Sequence, residues 1–357
     1  MGTKKFAFTA VLALLSLTAD GVTCSGLADS AACPVADSVD GGVEYASPVE
    51  RRTLDLAGFH GLKVEGPVVI RFTQGGGFAV VAEGPAEMFE QNDVKVKDGM
   101  LCVKMKDLRK KMGMSKKEFD EIPKVSVTEE TGGRTVLNDP KRLKQFGDCI
   151  VVWPMVLYVT APTLDVIENK GALTLSTGNM AVADLAIFNK GQLDMSLGNV
   201  ECSGLRIENK GVFKGGGDFN AGTVALENKG NMELVSDFSV SGAFDLKNNG
   251  TSKFNGSIFA EQVLMSVFGH VNYVVDVEAP ELNMNVNGVS RVVGSFKGKD
   301  LSIESKGDCK QLLTVDCEKF TVNASGPTEI RAEGTADKTR FNCTGPAKID
   351  MRKLNKF

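Results

Sequence analysis

Histidine, the side chain that most often serves as a catalytic base or metal ligand at neutral pH, occurs only twice, as His60 and His270. A zinc site built on histidine needs several ligands clustered. A Ser-His-Asp relay needs an acid and a nucleophile on either side of one imidazole. Neither histidine has such a partner fixed by spacing. The carboxylates Asp194, Glu233, Asp276 and Glu278 fall at outward positions of the repeat described below, but they form no pair of the kind glycoside hydrolysis requires. A lyase wants clustered acids for calcium and a basic catalytic residue, and no such cluster stands out. One Trp and three Tyr argue against an aromatic sugar platform. The residues that do gather are basic: Lys104, Lys106, Arg109, Lys110, Lys111, Lys116 and Lys117. They form a candidate surface for an anionic glycan or lipid headgroup, acting through charge. The competing reading is a solvated excursion. No catalytic, cofactor-binding or metal-ligating set is expected, and no cofactor.

The composition bounds what can position these residues. Of 357 residues 39 are glycine, 42% are hydrophobic and 24% charged, which excludes disorder and collagen. A formal charge of −4 argues against a nucleic-acid partner.

Glycines recur at 171, 191, 211, 230, 250, 269, 288, 307, 326 and 345, at steps of 19 or 20 residues. With each glycine as zero, position −4 carries Ile167, Ile187, Ile207, Leu226, Leu246, Met265, Met284, Ile303, Val322 and Phe341. Position −6 is apolar in most repeats, as in Leu185, Val224, Phe244 and Phe320. Positions +2 and +4 continue the alternation, as in Leu193/Met195 and Val271/Tyr273. Period two on both sides of a glycine predicts two short strands joined at a bend. The glycine is expected to supply a backbone conformation that residues with a Cβ resist. A third ladder lies eight or nine residues on: Met180, Val200, Phe219, Phe238, Ile258, Val277, Phe296 and Val315. No single unit closes a core, so the units must stack as a solenoid. Parallel strands spaced about 4.8 Å apart make that solenoid a parallel β-helix. Phe219 and Phe238 are expected to stack in its third wall.

Position −2 points inward and holds Asn169, Asn189, Asn209, Asn228 and Asn248, then Val267, Val286, Ser305, Ala324 and Cys343. A buried amide must be hydrogen-bonded, and stacked asparagines satisfy one another along the axis. This is a structural ladder. Positions −3 and −1 face outward, with Glu168, Glu208 and Glu227 beside Lys170, Lys190, Lys210 and Lys229. They read as a solvated, charge-balanced face. Cys202, Cys309, Cys317 and Cys343 fall on inward positions and read as small core residues. Cys102 and Cys149 bracket the basic segment, and a disulfide there would staple its base.

The chain divides accordingly. Residues 1–19 have the basic start, apolar run and small-residue end of a signal peptide. Cys24 leaves open a lipid anchor, the one membrane attachment expected. Residues 20–50 form a flexible tether. Residues 51–103 hold N-terminal rungs or a cap. There Leu62, Val64, Gly66, Val68 and Ile70 match the repeat, Val80, Ala82 and Gly84 match it more weakly, and Asp98-Gly99 centres a hairpin. Residues 104–149, with twelve Lys or Arg against eight Asp or Glu, form a charged insertion in which Ser115–Glu118 is a capping box for a short helix. Residues 150–357 carry the β-helix repeats.

Three segments together resemble one family: Arg52 to Gly66 (RTLDLAGFHGLKVEG), the Asp98-Gly99-Met100-Leu101 turn, and Val156 to Leu164 entering the glycine array. They are similar to the auto-transporter adhesin, head GIN domain family of exported bacterial proteins, over about residues 50–300. The resemblance implies an all-β, right-handed parallel β-helix of about ten regular rungs in the periplasm, at the outer-membrane surface or outside the cell. It brings no catalytic residues. The expected function is a non-catalytic, adhesin-like or scaffold protein whose partner is a polysaccharide or another envelope or host surface component. Two alternatives are a polysaccharide lyase or glycosidase on a β-helix, and a polymer-forming β-helix scaffold.

Overall fold

The computed structural model describes residues 49–106, 124–126, 150–152 and 155–355. Alternating apolar residues and stacked repeats produce a parallel β-solenoid of about ten turns. Each repeat lays its strands in register on the one before. Val166–Asn169 pairs in parallel with both Gly61–Glu65 and Asp184–Asn189, and Ala172–Thr177 pairs with Pro67–Gln74 and with the start of Gln192–Asn209. The three apolar ladders converge on one continuous core. Residues at −6, such as Phe244 and Phe320, are wholly enclosed. The third wall is enclosed throughout, from Met180 to Val315. Phe219 and Phe238 stack there at 5.2 Å between centroids and 11° between planes. Phe244 and Phe254 pack edge-on against Phe238.

The N-terminal end is built out of chain order. Gly61–Glu65 and Pro67–Gln74 form a rung, and the chain then turns away from the array. The helix Ala86–Gln91 brings Met88 over the end of the core, where it is fully buried. Asn92–Lys97 and Met100–Met105 make an antiparallel hairpin. Asp98 and Gly99, both at positive φ (52° and 71°), supply the tight turn that its twist requires. Met100–Met105 and Met155–Ala161 then add an outermost rung, parallel to the first. Residues 162–165 carry the chain across to the other side, where the regular array begins. Met105, near the end of the described part of this strand, packs against Gly66 of the neighbouring rung. The Ser115–Glu118 capping box lies outside the described residues, as does Cys149 of the proposed disulfide.

Four expectations are corrected. Val80, Ala82 and Gly84 are not a rung: Ala79–Pro85 runs antiparallel to Val49–Leu54 and to Met155–Ala161, closing the sheet edge. The glycines at 171, 191, 211, 230 and 250 do not have positive φ, whereas those at 269, 288, 307, 326 and 345 do, between 72° and 136°. In the first set the reason for glycine is contact: a Cβ on Gly191 would lie 2.0 Å from the carbonyl oxygen of Gly171. Finally, Phe341 and Cys343 are exposed rather than inward and enclosed, because their strand pairs on one side only, with residues 319–325. Of the remaining inward cysteines, Cys309 and Cys317 are buried and Cys202 is half-buried.

Candidate ligand-binding face

The asparagine ladder fixes one corner of the solenoid. Nδ2 of Asn169 donates to Oδ1 of Asn189 (2.8 Å), Asn189 to Asn209 (2.8 Å), Asn209 to Asn228 (2.7 Å) and Asn228 to Asn248 (2.6 Å). Each Nδ2 from Asn169 to Asn228 also donates to a backbone carbonyl of the next rung, such as that of Gln192 or Val212. Each Oδ1 from Asn169 to Asn228 also accepts from the N–H of its own corner glycine. The amides are saturated and buried, and no donor or acceptor is left over for a ligand. They have a structural role, and they hold the outward residues on either side in strict register.

Those outward residues form two columns. Position −1 runs Lys104, Glu65, Lys170, Lys190, Lys210, Lys229, one residue per rung. Position −3 runs Lys63, Glu168, Phe188, Glu208, Glu227, Lys247. Most members are paired. Lys104 lies 3.0 Å and Lys170 3.5 Å from Glu65, Lys63 is 2.9 Å from Glu168, and Lys229 is 2.5 Å from Glu227. The hydrogen bond from Lys104 holds the Glu65 carboxyl below its ordinary range, and that from Lys229 does the same for Glu227. The charge-balanced face expected from the repeat holds at these rungs.

It fails at one. The motif is Glu-Asn-Lys-Gly at 168–171, 208–211 and 227–230, but Phe-Asn-Lys-Gly at 188–191. Phe188 removes the acid that would sit beside Lys190. Glu208 is taken by the Arg206 guanidinium. Lys190 and Lys210 consequently make no ion pair with any described residue. A concavity of about 310 Å³ opens over Phe188, rimmed by Lys170, Lys190 and Lys210. The signal was present in the sequence as one of two breaks in the repeated motif, the other being Lys-Asn-Asn-Gly at 247–250, where Lys247 pairs with Asp245.

Of the basic cluster, Lys104 stands exposed at the head of the lysine column and Lys106 is exposed one turn from Gln91, whose carbonyl accepts its N–H. Arg109, Lys110, Lys111, Lys116 and Lys117 lie outside the described residues.

Among the described residues, none of the acids Asp194, Glu233, Asp276 and Glu278 forms an ion pair with a histidine. Asp276 accepts from the N–H and hydroxyl of Ser295 (2.9 and 2.6 Å), and Glu278 faces Lys297 at 3.4 Å. Asp194 is pushed upward by partial burial, which the Lys214 charge opposes. His60 does have an acid neighbour that spacing did not reveal: Nδ1 lies 3.6 Å from Asp165. Its Nε2 faces Gly99, so close that a Cβ there would be 2.6 Å away. Asp165 is also bound by Thr163. This cluster ties the hairpin turn to the crossing segment. Among the described residues no group of three or more His, Cys, Asp or Glu could hold a metal ion, and no helix is long and apolar enough to cross a membrane.

The architecture is that of a β-solenoid whose outward residues form columns in register from rung to rung. The family model "Putative auto-transporter adhesin, head GIN domain" matches residues 58–238 and 266–356, and the chain belongs to that family. No curated protein matches it. Three solved structures are similar in fold. A putative adhesin of Bacteroides fragilis is 16% identical, with 87% of this chain and 99% of that one covered and a TM-score of 0.31. A putative adhesin of Parabacteroides merdae is 10% identical, covering 86% and 96%, at 0.36. A protein of Parabacteroides distasonis described as a putative lipid binding protein is 12% identical, covering 86% and 97%, at 0.38.

Proposed function

We propose that this chain is a non-catalytic, exported, adhesin-like surface protein that holds an anionic polysaccharide by charge along its lysine column. The observation that carries the reading is the column itself, with Lys170, Lys190, Lys210 and Lys229 on consecutive rungs and two of the four lacking a carboxylate. Lysines about 4.8 Å apart repel one another, and a polyanion lying along the axis relieves that repulsion. One exposed lysine contributes well under about 1 kcal/mol. Several in line act together on a single polymer, so avidity takes the place of a deep pocket. The signal-peptide pattern of residues 1–19 and the family membership support export and a surface role.

The test is binding of the mature chain to polygalacturonate across a salt series. Affinity should fall steeply with ionic strength, because exposed charges are screened within about 8–10 Å at physiological salt. The triple variant Lys190→Ser/Lys210→Ser/Lys229→Ser should bind more weakly and with a shallower salt dependence. Binding that is absent at low salt, or indifferent to salt, would refute the charge mechanism. Cleavage of the polymer, abolished by one carboxylate or lysine substitution, would refute the non-catalytic reading.

A further inference from the structure

We propose that the concavity over Phe188 is a subsite for one acidic pyranose unit, with the apolar face of the sugar ring on Phe188 and its carboxylate held between Lys190 and Lys210. The proposal rests on the polyanion reading above and goes further, by naming a position in the column and the chemistry of the unit that sits there.

One change of residue type creates both halves of the subsite. Where the neighbouring rungs have Glu168 and Glu208, this rung has Phe188, paired in register between them. The change removes a carboxylate from beside Lys190 and puts a half-buried aromatic ring in its place. Glu208 does not compensate, because Arg206 holds it; the Arg206 guanidinium also lies over one face of the Phe188 ring, 5.9 Å from its centroid, so a sugar ring has only the part of the phenyl that Arg206 leaves uncovered. The acid on the other side, Glu168, is held by Lys63. Both carboxylates that line the concavity are thus engaged from outside it, while Lys190 and Lys210 are exposed and make no ion pair with any described residue, the charge of Lys210 being felt by Glu227 one rung on.

The ligand class follows from what these groups want. Two free ammonium groups one rung apart want an anion. A half-exposed phenyl face wants a flat, weakly polar surface, and an aromatic face placed this way contributes more than its area alone. A pyranose ring bearing a carboxylate offers both in one unit. A simple polyanion leaves Phe188 unused. A fatty acyl chain needs an enclosed apolar channel, and a concavity of about 310 Å³ rimmed by lysines is not one. Lys170 lines the same concavity, and Lys229 follows Lys210 one rung further along the column, so an internal unit of a longer chain has further lysines for its further charges.

The experiment compares two polymers on two proteins. Polygalacturonate carries rings and carboxylates; poly-glutamate carries carboxylates without sugar rings. Phe188→Gln removes the phenyl face without changing charge. It places at this column position a side chain the size of the glutamates on both neighbouring rungs, so the fold accommodates it. An unchanged melting temperature verifies that. The expected result is a loss of about three- to tenfold in affinity for polygalacturonate, with poly-glutamate binding unchanged. If Phe188→Gln alters neither affinity, or lowers both equally, the subsite is overturned and the charge-based column survives. If the wild-type chain binds neither polymer at low salt, the column reading falls and the subsite with it.

Discussion

The rungs from Asn169 to Asn248 and those from Val267 onward repeat the same 19–20 residues, share the same three apolar walls, and close the same corner in two different ways. In the first set the asparagine carboxamide accepts the glycine N–H and binds the next rung, so the side chain does the turning. The strands break at each corner, and the glycines lie so close that a Cβ would meet the carbonyl oxygen of the preceding corner at 2.0–2.3 Å. In the second set no amide is available. One strand, Gln262–Ser325, runs unbroken through Gly269, Gly288 and Gly307, each at positive φ (123°, 136° and 104°), so the backbone does the turning. The contact persists at first, at 2.3 Å for Gly269, 2.5 Å for Gly288 and 2.6 Å for Gly307, and is relieved only at Gly326 and Gly345, where the nearest atoms are 3.2 and 3.8 Å away. Glycine is required throughout, first for space, then for space and backbone conformation together, and at the last corners for conformation. The difference teaches that an invariant residue in a repeat need not have an invariant reason.

Five substitutions sharpen or break this contrast. The walls common to both regions set the reference. Phe238→Ala and Phe296→Ala should each cost about 3–5 kcal/mol, because both side chains are enclosed in the same third wall. A thermal or denaturant melt in which the two differ widely would mean that the regions differ in more than their corners. Asn209→Val, which installs the residue the second region uses at 267, should cost about 3 kcal/mol. It strands the N–H of Gly211 and one amide hydrogen of Asn189 in the interior. A neutral result would show that valine serves equally at any corner and that the ladder is dispensable. The smallest and most diagnostic effect is a pair. Gly211→Ala should cost about 2–3 kcal/mol through overpacking against the Gly191 carbonyl. Gly326→Ala should cost only about 1 kcal/mol, the strain of a side chain at φ +76°. Equal costs would remove the distinction between contact and conformation.

The same contrast locates the candidate face. The lysine column and Phe188 belong to the laddered region, where rigid corners hold outward residues one rung apart in fixed register. Beyond Asn248 the −1 position passes to Asn249, Phe268 and Asn287, so the continuous lysine column ends; lysine returns only at Lys306, which is paired with Glu304.

The solenoid, its three walls, the self-satisfying asparagine ladder and the Phe219–Phe238 stack were all legible from period and residue type. A one-dimensional repeat makes each residue's neighbour the residue one period away, so spatial contacts can be counted along the chain. Where the period is lost, that legibility ends. The antiparallel course of Ala79–Pro85, the placement of the outermost rung on the far side of the first, and the contact of His60 with Asp165 all join residues whose separation no period encodes. The reason for each glycine was hidden for a related cause, since the sequence shows that a Cβ is excluded but not whether a neighbouring carbonyl or a positive φ excludes it. The freedom of Lys190 and Lys210 depends on which cation claims each glutamate. Lys63 reaches across rungs to Glu168, while Arg206 takes Glu208 two residues along its own strand, and that choice among several charges within reach is made by packing, which only the tertiary structure decides.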